Sequence, residues 1–169
     1  MNTSTSILKA ALWGGLIAAT ADMGYALIHY HFAADVAFQR IPQSIAAGLL
    51  GRDAALAGGW STALLGALLH YSILIVASGI YAAVSFKLPA LVRHPWVCGI
   101  AFGLAVFAFM RFVVLPLSAI GSPRLPQGQF LIGELLSHMI GVGVPIAFMA
   151  RRYCEPTAMT RAPLATSVS

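Results

Sequence analysis

The sequence predicts an all-α polytopic membrane protein, with four transmembrane helices in an up-down bundle and a short interfacial helix in the first outer loop. Its composition is 59% hydrophobic and only 9% charged, whereas a soluble domain carries roughly 25% charged residues. Four apolar runs are each long enough, at about 20 residues, to cross a hydrocarbon core of about 30 Å as a helix. The 169 residues are expected to form one transmembrane domain.

The four predicted spans cover residues of about 7–30, 60–86, 96–118 and 129–150. Helix is the expected form because lipid cannot satisfy free backbone groups, and the runs lack the alternating pattern of barrel strands. Tryptophan and tyrosine residues lie mostly near the run ends, where amphipathic rings favour the membrane interface. The polar tail of about 153–169 is predicted to be disordered.

The first apolar run also has features of a cleaved signal peptide. Lys9 precedes an apolar stretch, and the small residues Ala18, Ala19 and Ala21 fit a cleavage site. The chain becomes apolar again directly after Asp22, whereas mature sequence after a signal peptide is normally polar. A first transmembrane helix is therefore the preferred interpretation.

The segment of about 31–59, between the first two spans, is too long for a hairpin and too apolar for a solvated linker. Pro42 suits the first turn of a helix that runs to Leu50, and Gly51 suits its C-terminal end. An interfacial helix on the outer leaflet is the preferred interpretation. A re-entrant segment that caps the bundle is the alternative.

The basic residues predict the orientation of the spans. The N-terminal side, the second loop and the tail carry six of them: Lys9, Lys87, Arg93, Arg151, Arg152 and Arg161. The first and third loops carry three: Arg40, Arg52 and Arg124. The chain is expected to lie in a bacterial inner (plasma) membrane, and this asymmetry predicts that both termini are in the cytoplasm. Cys98 and Cys154 would then face a reducing compartment, so no disulfide is expected.

Several sequence strings resemble those of a family of small uncharacterised bacterial inner-membrane proteins. The strings are QSIAAGLLG at 43–51, GGW at 58–60, LLH at 68–70 and VVLPLSA at 113–119. The resemblance covers most of the chain, from the first span to the fourth. It implies a four-helix membrane architecture, and because the family has no known function it implies no activity.

Five ionisable residues fall well inside the predicted spans, away from the span ends. They are Asp22, His70, Arg111, Glu134 and His138. A charged side chain at mid-membrane costs about 2.5–3.5 kcal/mol on insertion scales, so each one needs an explanation. At a rise of 1.5 Å per residue, all five lie roughly 8–15 Å below the outer surface. The sequence therefore predicts one polar layer in the outer half of the bundle.

Helical spacing favours convergence of these residues. Asp22, Tyr25 and His29 share one face of the first span, and Glu134 and His138 share one face of the fourth. Stripes of small residues predict close helix contacts in the second span, at Ala63, Gly66 and Ala77, and in the third, at Gly99 and Gly103. Pro145 cannot donate a hydrogen bond to the carbonyl of Gly141, which leaves a free acceptor about one turn from His138.

Two interpretations of the polar layer compete. In the structural one, Arg111 pairs with Asp22 or Glu134, and the histidines bond to neighbouring helices in a structural or accessory subunit. In the functional one, the same residues line a pocket that binds or passes a small ligand, an ion or a proton. His70 and His138 would be its titrating members. His29, His31 and His94 are expected to be solvated.

Two cofactor hypotheses use the same histidines. Glu134 and His138, with His70 and Asp22, would form a site for a transition metal. Alternatively, His70 and His138 would be the axial ligands of a b-type haem. Gly66 and Gly141 would then leave room for the macrocycle, with Arg111 near a propionate. Neither hypothesis has a further supporting residue, so no metal and no cofactor is expected.

The sequence contains none of the common catalytic motifs. It lacks a Gly-x-Ser-x-Gly elbow, His-Glu-x-x-His, a phosphate-binding loop with its lysine, and a cysteine pair at zinc spacing. We therefore expect no enzyme and assign no catalytic residue. The formal charge of +5 is dispersed over loops and tails, which argues against a nucleic-acid partner. The expected partner is the lipid bilayer, and a homo-oligomer would supply the second half that inverted-repeat transporters need.

Overall fold

A computed structural model describes residues 2–121 and 124–154, and all regular structure in these ranges is helical. Four helices are long and apolar enough to cross a membrane: α1 (Thr3–Ala34), α4 (Gly59–Ser85), α6 (Pro95–Leu117) and α7 (Gln129–Cys154). Three shorter helices are α2 (Arg40–Leu50), α3 (Arg52–Ala57) and α5 (Ala90–Arg93). The predicted helical class and the four apolar spans are confirmed, and they indicate a multi-pass membrane protein.

The helices extend beyond the apolar runs at several ends. α1 begins at Thr3 because the Asn2 side chain accepts a hydrogen bond from the backbone N–H of Ser4, and it continues to Ala34. α7 continues to Cys154, so the last helix includes the first two residues of the predicted tail. Hydropathy detects the lipid-spanning part of a helix, whereas capping and neighbouring contacts determine where the helix ends. The rest of that tail, from 155 onwards, lies outside the described residues.

α1 packs closely against both α4 and α7. Gly14 and Gly15 lie directly against α4, where a Cβ on Gly15 would overlap the backbone of Ile75. The hydroxyl of Ser78, only 1% exposed, donates a hydrogen bond of 2.9 Å to the carbonyl oxygen of Ala10. The first apolar run is therefore a core helix of the bundle, as its preferred interpretation as a transmembrane helix requires.

Glycines also bring α6 and α7 together. A Cβ on Gly103 would overlap the carbonyl of His138, and one on Gly143 would overlap the carbonyl of Gly99. The close helix contact predicted at Gly99 and Gly103 is confirmed. Its partner is a segment of α7 that contains a glycine of its own, so both backbones contribute to the short separation.

Two π-helical segments interrupt the long helices, at Met110–Val114 in α6 and at Ser137–Gly143 in α7. Each ends two residues before a proline, Pro116 or Pro145. Proline has no N–H with which to close the preceding turn, and a widened π turn is one way in which a helix accommodates this loss. Both segments border the polar layer described below.

α2 lies against the beginning of α4. A Cβ on Gly66 would overlap the carbonyl of Pro42, and the buried amide of Gln43 donates to the Gly59 carbonyl (3.0 Å) and the Thr62 hydroxyl (3.3 Å). The helix predicted at Pro42 is present but begins at Arg40. Gly51 caps its C-terminal end, and the φ of +81° at this position suits glycine. We call the end of the bundle where α2 packs against the beginning of α4 the α2 end.

Candidate functional site

A cavity of about 480 Å³ lies at the α2 end, between α1, α2, α4, α6 and α7. This volume lies within the usual range for small-molecule sites. All five ionisable residues predicted for the polar layer line it: Asp22, His70, Arg111, Glu134 and His138. Four separate helices contribute them, because each residue lies at a similar depth and on an inward face of its helix.

Asp22 is the centre of one half of this polar layer. Its carboxylate accepts a 2.6 Å hydrogen bond from the Ser137 hydroxyl. His70 Nε2 lies 3.7 Å from one carboxylate oxygen, and His138 Nδ1 lies 3.7 Å from the other. The side chains of Asp22 and His70 are 14% exposed and that of His138 is 20% exposed. One partly buried carboxylate is therefore shared by two imidazoles and a hydroxyl.

Main-chain acceptors indicate which nitrogen of each imidazole carries a proton. His70 Nε2 lies 3.2 Å from the Ala19 carbonyl oxygen, and His138 Nδ1 lies 2.9 Å from the Glu134 carbonyl oxygen. Because a carbonyl only accepts, the neutral rings carry their protons on these two nitrogens. His70 Nδ1 and His138 Nε2 then remain as acceptors for a ligand or a proton.

Glu134 is the centre of the other half. Its Oε1 atom accepts a 2.6 Å hydrogen bond from the Tyr30 hydroxyl. The Tyr25 hydroxyl lies directly against Gly133, where any Cβ would overlap it. Glycine at 133 therefore lets a tyrosine approach the backbone next to Glu134.

The pairing predicted for Arg111 is wrong. Its guanidinium donates to the carbonyl of Arg124, in the loop before α7, through Nη2. The ion pairs within 4.0 Å in residues 2–121 and 124–154 are those of Asp22 with the two histidines. A long arginine side chain can reach a nearby loop as easily as a carboxylate in the layer, and residue spacing does not distinguish the two. Asp22 and Glu134 therefore lack a lysine or arginine partner in the described structure.

The metal and haem hypotheses do not fit this geometry. In the described ranges, no three His, Cys, Asp or Glu side chains converge as a metal site requires. Asp22 presents one oxygen to each imidazole, in the region where a haem iron would have to lie. The space expected beside Gly66 is occupied by the Pro42 carbonyl. We therefore derive no chemistry through either cofactor.

Sequence reasoning missed two residues of the site, Tyr30 and Ser137, and the buried position of His29 beside it. Tyr30 follows Asp22 by eight residues in α1, and Ser137 follows Glu134 by three in α7. Helical spacing therefore places each hydroxyl on the same face as the carboxylate of its own helix. His29, expected to be solvated, has a buried Nε2 with no hydrogen-bond partner in the described structure. The centroid of its ring lies 5.1 Å from that of Tyr25, and the two rings stack, as their four-residue spacing on α1 allows. Spacing does not show that the ring nitrogen is buried.

Comparisons with known proteins found no matching family model, no matching curated protein and no matching solved structure. The resemblance to uncharacterised inner-membrane proteins therefore stays a prediction. The argument for function depends on the geometry of this chain.

Proposed function

We propose that the cavity at the α2 end binds a small ligand or ion, or passes a proton, in an inner-membrane protein. In this proposal the four long helices cross a bacterial inner membrane in an up-down arrangement, with both termini in the cytoplasm. α2 then lies at the outer interface, and the cavity lies in the outer half of the bundle. The distribution of basic residues supports the orientation.

One observation carries the proposal. Asp22 and Glu134 line a cavity within membrane-spanning helices and have only hydroxyls, imidazoles and backbone groups as described neighbours. Carboxylates in a bilayer are costly, and they commonly mark binding sites or transport pathways. Two acids without a lysine or arginine partner favour a ligand that supplies positive charge, protons or hydrogen-bond donors.

A second candidate is a structural or accessory subunit, and one observation favours it. The hydrogen bonds Ser137–Asp22 and Tyr30–Glu134 both connect α1 to α7. Neutral polar residues would make such connections at a lower cost in desolvation. The structural role therefore explains the hydrogen bonds but leaves the two carboxylates unexplained.

The ligand proposal is tested by filling the cavity. Ala26 lines it, whereas Ala83 is exposed on α4 and lines none of the cavities described in this article. Native mass spectrometry of protein released from membrane discs should show a bound small molecule, distinct in mass from the bilayer lipids of the disc, in wild type and in Ala83→Phe. Ala26→Phe should lose that mass.

The comparison of Ala26→Phe with Ala83→Phe controls for added bulk on a helix. If wild type carries no bound small molecule, or if both variants carry the same mass, ligand binding in this cavity is wrong. A proton-selective leak in proteoliposomes, abolished by Ala26→Phe alone, would instead support the proton pathway.

The topology is tested separately by cysteine labelling. Ser4 and Asp53 are exposed at the start of α1 and on α3. In a background with Cys98→Ser and Cys154→Ser, Asp53→Cys should react with an impermeant maleimide in spheroplasts. Ser4→Cys should react only after the membrane is opened. The reverse pattern would invert the proposed orientation.

A further inference from the structure

A second cavity of about 620 Å³ lies at the α2 end, between α2, α3 and the end of α6. Three arginines line it: Arg40, Arg52 and Arg111. None of them has a carboxylate within 4.0 Å in the described structure. Three guanidinium groups without acidic partners produce a cationic cavity, and guanidinium groups bind phosphate and carboxylate particularly well.

An apolar groove of about 580 Å³ lies between α4 and α6. On α6 it extends from Phe102 to Val114, which corresponds to about 18 Å of helix. Ser72 is its only polar lining residue in the described structure. The groove is therefore long, and its apolar lining suits a hydrocarbon chain.

The central polar cavity adjoins both of these spaces. It shares Arg40, Ser44, Arg111 and Leu115 with the cationic cavity, and it shares Ile73, Val106 and Met110 with the apolar groove. The cationic cavity and the groove have no lining residue in common, so the central cavity lies between them. The three spaces therefore follow one another in a fixed order of chemistry: cationic, then rich in hydrogen-bond acceptors, then apolar.

We propose that the ligand is a single-chain lipid with a terminal phosphate, an inference that rests on the proposed function of the central cavity. The phosphate contacts the arginines of the cationic cavity. A hydroxyl-bearing linker such as glycerol donates to Asp22 or Glu134 in the central cavity, and the chain lies in the α4–α6 groove.

The order of the cavities selects against a choline headgroup. In a phosphocholine lipid the cation is the group farthest from the chain, so it would lie against the arginines. Like charges brought together in a partly buried site repel each other and weaken binding. A terminal phosphate places a negative charge there instead.

The test compares two lipids that share one oleoyl chain, lysophosphatidic acid and lysophosphatidylcholine. Binding to the full-length protein is measured by native mass spectrometry from an uncharged detergent. We expect lysophosphatidic acid to bind at least ten-fold more tightly than lysophosphatidylcholine. Glycerol phosphate, which has no chain, should compete at least a hundred-fold less well.

Two pairs of variants locate the contacts. Arg52→Gln, in the cationic cavity, should weaken lysophosphatidic acid at least five-fold, whereas Arg124→Gln, exposed at the same end outside the three spaces, should not. Ala105→Phe, which fills the groove, should also weaken binding at least five-fold, whereas Ala83→Phe should not.

Equal affinity for the two lipids would overturn the inference, as would an unchanged affinity in Arg52→Gln or in Ala105→Phe. Competition by glycerol phosphate at the affinity of the lipid would assign the cationic cavity to a soluble phosphate. Each of these results leaves the proposed function intact if wild type still carries a bound small molecule that Ala26→Phe loses.

Discussion

The two ends of the helix bundle differ in the side chains that lie between the helices. Away from α2, the helices meet through small side chains, and Ala10, Ala18, Ala147 and Ala150 are completely buried. At the α2 end, the same four long helices separate around a cavity lined by acids and imidazoles. This difference indicates that close packing supplies most of the stability at one end, while the other end accepts charges that a bilayer disfavours.

The largest effect is expected where α1 contacts α4. Gly15→Ala should lower stability by about 3 kcal/mol, because the new Cβ would overlap the backbone of Ile75 and force the helices apart. Gly24→Ala is a matched control on the same helix, since a Cβ there has no neighbour within 4 Å. It should leave the thermal midpoint in detergent unchanged or raise it slightly. A Gly15→Ala protein as stable as Gly24→Ala would contradict the close packing.

A smaller effect is expected from single hydroxyls, and it should differ between the two ends. Tyr30→Phe removes the donor to the Glu134 carboxylate and should cost about 2 kcal/mol, because bonds to charged groups are the stronger ones. Ser78→Ala removes a bond to a neutral carbonyl and should cost about 1 kcal/mol. Both are measured by reversible unfolding in detergent. An equal or reversed order would contradict a stronger hydrogen bond from Tyr30 to Glu134 than from Ser78 to Ala10.

The smallest effect concerns Arg111. Since its guanidinium bonds to the Arg124 carbonyl, Arg111→Gln and Asp22→Asn should be additive to within about 0.5 kcal/mol in a double-mutant cycle. The same result is expected with Glu134→Gln. A coupling energy above about 1 kcal/mol with either carboxylate would restore the ion pair that the sequence predicted.

Much of the fold follows from the sequence because membrane helices obey simple constraints. Length and hydropathy were sufficient to predict the four spans, and helical spacing was sufficient to place Asp22 and Glu134 in one layer. Gly66 shows the limit of this reasoning. Its stripe predicted a close helix contact, but the neighbour is α2 rather than another long helix. Which element occupies a small-residue surface depends on tertiary packing, which a single helix face does not encode.

The candidate site was also predictable from the sequence only in part. The five ionisable residues line one cavity, as helical spacing favoured, whereas the contact of Arg111 and the buried Nε2 of His29 were not predicted. Arginine has a long, flexible side chain, so its partner depends on the path of a neighbouring loop, which residue spacing does not define. The π turns before Pro116 and Pro145 also shift the faces of α6 and α7 relative to a regular helix, and regular spacing cannot include that shift.

The central claim is that the carboxylate of Asp22 serves binding rather than stability, and Asp22→Asn tests it most directly. Asparagine has nearly the same shape and can still accept the hydrogen bond from Ser137, so the substitution removes mainly the charge. We expect an unchanged or higher midpoint of thermal unfolding, together with loss of the bound small molecule in native mass spectrometry. A less stable protein that retains the bound molecule would contradict the claim and make Asp22 a structural residue.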